Sequence, residues 1–242
     1  MLLHNAPRYA LYFGDEHDGI FLDKETRSVI KNDIFQIPLF KKLKKIMHLS
    51  SITLLRQTHS ADGLVITNID QKTTLNLSTD GDFIVTNISG LGIGVFTADC
   101  LPVICYDTLH NVLAIAHAGW KGAALGVVPA MFKAMQETFK TQTNDLLFFL
   151  GPSAKVCCYQ VQQDFIDQFE AYYFIDKVIH KNNNDFYFDL PLFIRLQMNN
   201  LGVPLTSFNI NYNECTLCNT QFFSHRRQKE DAGRQITLVA LK

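Results

Sequence analysis

The sequence predicts an α+β protein. Three observations point there: a dense block of strand-like runs across residues 51–117, helix-like periodicity only after it, and a return to strand-like composition at the C-terminal end. A regularly alternating parallel fold would interleave the two patterns. The chain of 242 residues, 47% hydrophobic and 19% charged, is also long enough to bury a substantial core.

The strand block reads as SITLLRQT (51–58), GLVITNI (63–69), DFIVTN (82–87), LGIGVFT (91–97), LPVICYD (101–107) and NVLAIAH (111–117). Val, Ile, Thr and Phe dominate these runs, and NISG and DTLHN between them carry turn residues. Next, AALGVVPAMFKAMQETFK (123–140) spaces its apolar residues at helical intervals, and Pro129 requires a late start or a kink. VQQDFIDQFEAYYF (161–174) and LPLFIRLQMNNLG (190–202) read as amphipathic helices, the second stopped by Gly202. The polar KNNND at 181–185 is a loop, and SFNINYNE (207–214) and QITLVALK (235–242) are further strands. No internal repeat and no glycine- or serine-rich linker divides the sequence, so residues 1–242 are read as one domain.

The net charge of −1 gives no reason to expect nucleic acid or an acidic membrane as a partner. The opening MLLHNAPRYALYFGDEHDG lacks the basic flank and apolar stretch of a signal peptide, and no window approaches a membrane span, which makes a soluble, cytoplasmic protein the expectation. Six cysteines in such a setting are expected as reduced thiols, available for packing, metal binding or nucleophilic chemistry.

The stretch FTADCLPVICYDTLHNVLAIAHAGWKG (96–122) concentrates the chemistry. If 101–107 and 111–117 form an antiparallel hairpin, Tyr106 faces Asn111 or Val112 and Cys100 faces His117 or Ala118, so thiol and imidazole meet at the end remote from the turn. The AGWKG that follows leads through glycines into a helix start. Its backbone N–H groups and Lys121 suit an anion, although the glycines could equally serve a tight turn. Taken singly, His59 reads as a polar strand-end residue, Cys100 as a small buried hydrophobe and His117 as a turn partner.

In this order, QTHSADGLVI, FTADCLPVICYD, LAIAHAGWKGAALG, GPSAKVCCYQV and CTLCNTQFFSHRR–KEDAGRQITLVAL resemble the bacterial YfiH-like family, from about residue 50 to the C-terminal end. Its members are described as laccase-like multicopper polyphenol oxidases and as purine nucleoside phosphorylases with adenosine deaminase activity. The resemblance implies an α/β/β/α layered sandwich, a fold shared with a distantly related toxin deamidase. It also implies one zinc ion held by His59, Cys100 and His117. Zinc accepts this ligand set, and three protein ligands leave the fourth tetrahedral position for water or substrate. The implied partners are purine nucleosides, possible substrates including methylthioadenosine, and inorganic phosphate. Copper is the weaker alternative, because a multicopper site wants clustered histidines and the eight here show no HxH pair. A Cys100–His117 hydrolase, with a role in peptidoglycan precursor editing as one family association, and a non-enzymatic zinc-stabilised module complete the alternatives.

The remaining candidates are assigned by position. Asp82 and Asp99 are the carboxylates nearest the ligands, suited to acid–base work or to orienting a ligating histidine. Among the cations of HRRQKEDAGR, Arg227 is chosen with Lys121 for phosphate. Cys215 and Cys218 have metal spacing but no second CxxC, and the H-x-E…P-C-x-x-C deaminase pattern is absent, so they are read as structural. Cys157 and Cys158 are read as packing. In their motif Lys155 and Val156 precede the cysteines and Gln160 follows Tyr159, where the commoner family form is GPxIGPCCYEV, so this chain carries an amide at the place of that Glu carboxylate.

Overall fold

The computed structural model describes residues 2–21, 38–68, 77 and 79–242. Among the described residues, the strands form three sheets. The first comprises β1 (Leu2–Asn5), β2 (Tyr9–Phe13), β14 (Gln235–Leu241), β6 (Leu91–Thr97) and β3 (Ser51–Leu54), in that spatial order. The second comprises β13 (Phe208–Asn209), β9 (Leu146–Leu150), β7 (Leu101–Asp107), β8 (Val112–Ala118), β5 (Phe83–Thr86) and β4 (Gly63–Ile66). A small third sheet joins β10 (Gln160–Val161), β12 (Asp185–Phe188) and β11 (Ile179–Asn182).

Side-chain alternation along each strand stacks these elements into layers. Leu11, Ile93, Val95 and Val239 from the first sheet meet Ile104, Tyr106, Leu113 and Ile115 from the second in one buried cluster. The opposite face of the first sheet, with Tyr12, Ile236 and Leu238, packs on Phe40 and Leu43 of helix α1 (Pro38–Ile46). The opposite face of the second, with Val103, Cys105, Ala114 and Ala116, packs on α3 (Val127–Phe139) and α5 (Leu190–Asn199). The result is helix, sheet, sheet, helix: the α/β/β/α sandwich of the expectation. Strands covered on both faces read as continuous apolar runs, which is why LPVICYD and VLAIAHA show no polar alternation.

Several elements differ from the sequence reading. The run 51–58 is a strand only to Leu54, because residues 55–62 leave the sheet to build the site described below. Position 69, expected to end β4, lies outside the described residues. The helix expected over 123–140 is two helices, α2 (Trp120–Leu125) and α3, separated by Gly126 at φ 82. Pro129 then falls in the first turn of α3, where its missing N–H costs nothing. The helix expected over 161–174 is only α4 (Gln163–Asp167). Past it, Phe169 and Phe174 turn inward, with ring centroids 5.0 and 5.5 Å from Phe193, and aromatic burial overrides the helical period. Of KNNND, expected as a loop, only Asn183 and Asn184 form the turn of the β11–β12 hairpin, with Asn183 at φ 55, while Lys181, Asn182 and Asp185 belong to its strands. SFNINYNE contributes only β13, after which Asn209 accepts the Asn211 amide in a turn. Among the described residues, no helix is long and apolar enough to cross a membrane.

Candidate metal centre and cleft

The hairpin of β7 and β8 is present, with a register one residue beyond the nearer of the two expected ones. Tyr106 faces Leu113, Pro102 faces His117 and Leu101 faces Ala118, so Cys100 lies just beyond the ladder. The turn sets this: Asp107 accepts the amides of Leu109 and His110, both at 2.9 Å, and Asn111 takes φ 54. Cys100 nevertheless reaches His117, because Asp99 turns the chain back with φ 84. The Asp99 carboxylate is anchored at both oxygens, by the Thr216 hydroxyl and the Arg226 amide, each at 2.7 Å. These two bonds hold an uncommon backbone conformation in place.

His59 arrives from the loop after β3. Gln57 exchanges two hydrogen bonds with the Phe96 backbone and so clamps that loop to β6. His59 itself takes φ 61. The fully buried Asp82 organises the turn: its carboxylate accepts the amides of Thr58, His59 and Ser60 and the hydroxyls of Thr58 and Ser60. It also binds His117 Nδ1 at 2.8 Å, which turns Nε2 of that ring toward Cys100 and His59.

The donor atoms of His59, Cys100 and His117 all lie within 4.8 Å of one another, with Cys100 Sγ 3.8 Å from His59 Nε2. The imidazoles stand edge to face at 4.8 Å. Gly119 makes room for this convergence: a Cβ there would come 2.7 Å from His59 Cδ2 and 2.9 Å from Cys100 Sγ. Electrostatics supports a cation. Burial opposes ionisation of Cys100, yet His117 and His59 bring its thiol down to about 6. Burial likewise opposes charge on His117, but Cys100 and Asp82 push it up to about 9. For Asp82, burial is outweighed by His117 and Ser60, and the carboxyl is held far below the ordinary range. Two imidazoles and a thiolate with a carboxylate behind one ring suit a borderline-soft divalent ion.

The centre opens onto a cleft of about 360 Å³ whose walls include Trp120, Tyr159, Arg226 and Lys229. The Arg226 guanidinium sits 5.1 Å from the Tyr159 ring centre and also donates to the Gln160 carbonyl. Neither residue chosen for phosphate is among the residues that line this cleft. Arg227 spends its guanidinium on the carbonyls of Thr216, Leu217 and Phe222, and Lys121 is exposed over the Trp120 ring. Gln160, in the place of the family Glu, bonds Asp185 outside this cleft. Sequence reasoning missed Trp120 and Tyr159 as walls, although both stand inside quoted motifs next to chemically marked residues.

Residues 39–242 match the model of the family described as multi-copper polyphenol oxidoreductase laccase. The chain belongs to this family. The chain is similar to a purine nucleoside phosphorylase of Clostridium acetobutylicum, 31% identical over 97% of this chain and 93% of the relative. An adenosine deaminase from an unknown prokaryotic organism is 29% identical over 80% of this chain and 76% of its own. The solved structure of the Bacillus licheniformis protein YfiH superposes with a TM-score of 0.80, covering 99% of both chains at 24% identity, and so shares the fold. The YfiH-like resemblance read from the motifs and the membership found here coincide, and the matched region begins before residue 50.

Proposed function

We propose that this chain is a zinc-dependent purine nucleoside phosphorylase that also deaminates adenosine. The observation that carries the reading is a three-donor centre, His59, Cys100 and His117, whose fourth side faces a cleft walled by aromatic rings and cations. The names of the relatives supply the substrate class. Zinc at this position supplies Lewis-acid chemistry, acidifying water toward neutrality and polarising an oxygen brought to it.

The protein's own side chains do the rest. Trp120 offers an aromatic face to a purine, the buried Tyr159 ring backs the Arg226 guanidinium, and Arg226 and Lys229 offer charge to phosphate in the roles first given to Lys121 and Arg227. In phosphorolysis a phosphate oxygen bonds to the anomeric carbon as the glycosidic bond breaks, and the departing purine takes the electron pair and a proton. Asp82 acts as a positioning residue through His117, and Asp99 holds Arg226 at the cleft rim by its amide.

The test is incubation of purified protein with inosine or adenosine, with and without phosphate, alongside elemental analysis. Free base and ribose 1-phosphate formed only with phosphate, inosine from adenosine without it, and zinc in the protein are the expected results. His59→Ala should lose the metal and both activities. Turnover that survives in metal-free His59→Ala points instead to a Cys100–His117 hydrolase, and bound copper with phenol oxidation points to a laccase.

A further inference from the structure

A second cluster of donors stands apart from the cleft. Cys157 and Cys158 lie in a turn in which the amides of Cys158 and Tyr159 both donate to the Lys155 carbonyl. Cys215 and Cys218 lie in another, closed by the Asn219 amide on the Cys215 carbonyl. A bridge between Ser153 and Cys215 sets the two turns side by side. The missing half of a four-cysteine set is therefore an adjacent pair and not a second CxxC. All four sulfurs fall within 4.8 Å of one another. Cys218 Sγ alone is 3.4 Å from Cys157, 2.7 Å from Cys158 and 3.4 Å from Cys215.

We propose that Cys157, Cys158, Cys215 and Cys218 form a second metal site, a closed tetrathiolate centre for zinc. Zinc–sulfur bonds of about 2.3 Å in a tetrahedron place neighbouring sulfurs about 3.8 Å apart, so the cluster needs only small side-chain adjustments to close on an ion. A disulfide joins two sulfurs and leaves the other two idle, whereas here one sulfur is within reach of the other three. On binding, the thiols give their protons to solvent and no redox partner is required. Four protein ligands leave no open position, so the role is structural.

What the ion would staple is the cleft wall. Tyr159 follows Cys158 directly, and Thr216, inside the second turn, donates to Asp99 next to Cys100. Arg227 binds the carbonyls of Thr216 and Leu217, and Arg226 binds the carbonyl of Gln160, so the two cysteine turns carry both partners of the Tyr159–Arg226 contact.

Zinc content per folded chain tests this, with folding checked by circular dichroism. Protein purified under reducing conditions should hold about two zinc ions, and His59→Ala and Cys218→Ser about one each. Because Cys218→Ser could unfold, cobalt is also titrated into metal-free His59→Ala. An intense thiolate-to-cobalt charge-transfer absorption with tetrahedral d–d bands is expected there. No such absorption, unchanged zinc in folded Cys218→Ser, or a Cys158–Cys218 disulfide found by mass spectrometry in the reduced preparation overturns the proposal. The His59→Ala background keeps this result separate from the fate of the first centre.

Discussion

Asp82 and His117 show how little of a metal centre is the ligands themselves. Replacing Asp82 with Asn keeps the shape but removes the charge behind the imidazole; zinc affinity, read by chelator competition, should fall about 10–100-fold. Gly119→Ala should act more bluntly, because its methyl would occupy the space of the His59 ring and the Cys100 sulfur, and elemental analysis should find the first centre's ion missing. The pH dependence has a definite sign. With Cys100 near 6 and His117 near 9, a cation binding between those values must displace the His117 proton. Zinc affinity should rise about tenfold per pH unit from 6 to 9, more steeply below 6 where Cys100 also releases a proton, and level off above 9. Affinity that stays flat from 6 to 9 would refute the pairing. Arg226→Ala should raise the KM for phosphate about tenfold or more, whereas Arg227→Ala should lower thermal stability by orphaning three carbonyls. The motifs made the three donors legible in the sequence. The choice between Arg226 and Arg227 was not, because on a helix as short as α6 (His225–Gln228) only tertiary contacts decide which side chain faces the cleft.

The β7–β8 hairpin was legible to within one or two residues of register. The error lay in the turn, whose Asp107 side chain captures two amides, a local bond that residue type permits but does not require. Helix α3 was legible as well, and Pro129 announced its late start. What composition concealed was Gly126, which ends one helix and begins the next with a left-handed φ of 82. A Cβ there meets nothing closer than 3.8 Å, so Gly126→Ala should cost about 1–2 kcal/mol in urea unfolding through backbone conformation alone. A larger loss would mean that the joint between α2 and α3 carries packing beyond this. The segment after α4 resisted reading because its phenylalanines are recruited by β12 and α5, far along the chain.

At the scale of the molecule, the mixed class was readable from the order of patterns, but the pairing of the two sheets was not. Continuous apolar strands say that both faces are covered without saying by what. Ile115, fully buried between the sheets, should cost about 2–5 kcal/mol when cut to Ala, a loss visible in thermal unfolding. The spatial order of the first sheet has a consequence for biosynthesis. Its middle strand, β14, is paired on one side with β2 and on the other with β6, yet it spans residues 235–241. β2 and β6 therefore each keep an unpaired edge until β14, far along the chain, has been made, and the seam between them closes only through contacts of long sequence separation.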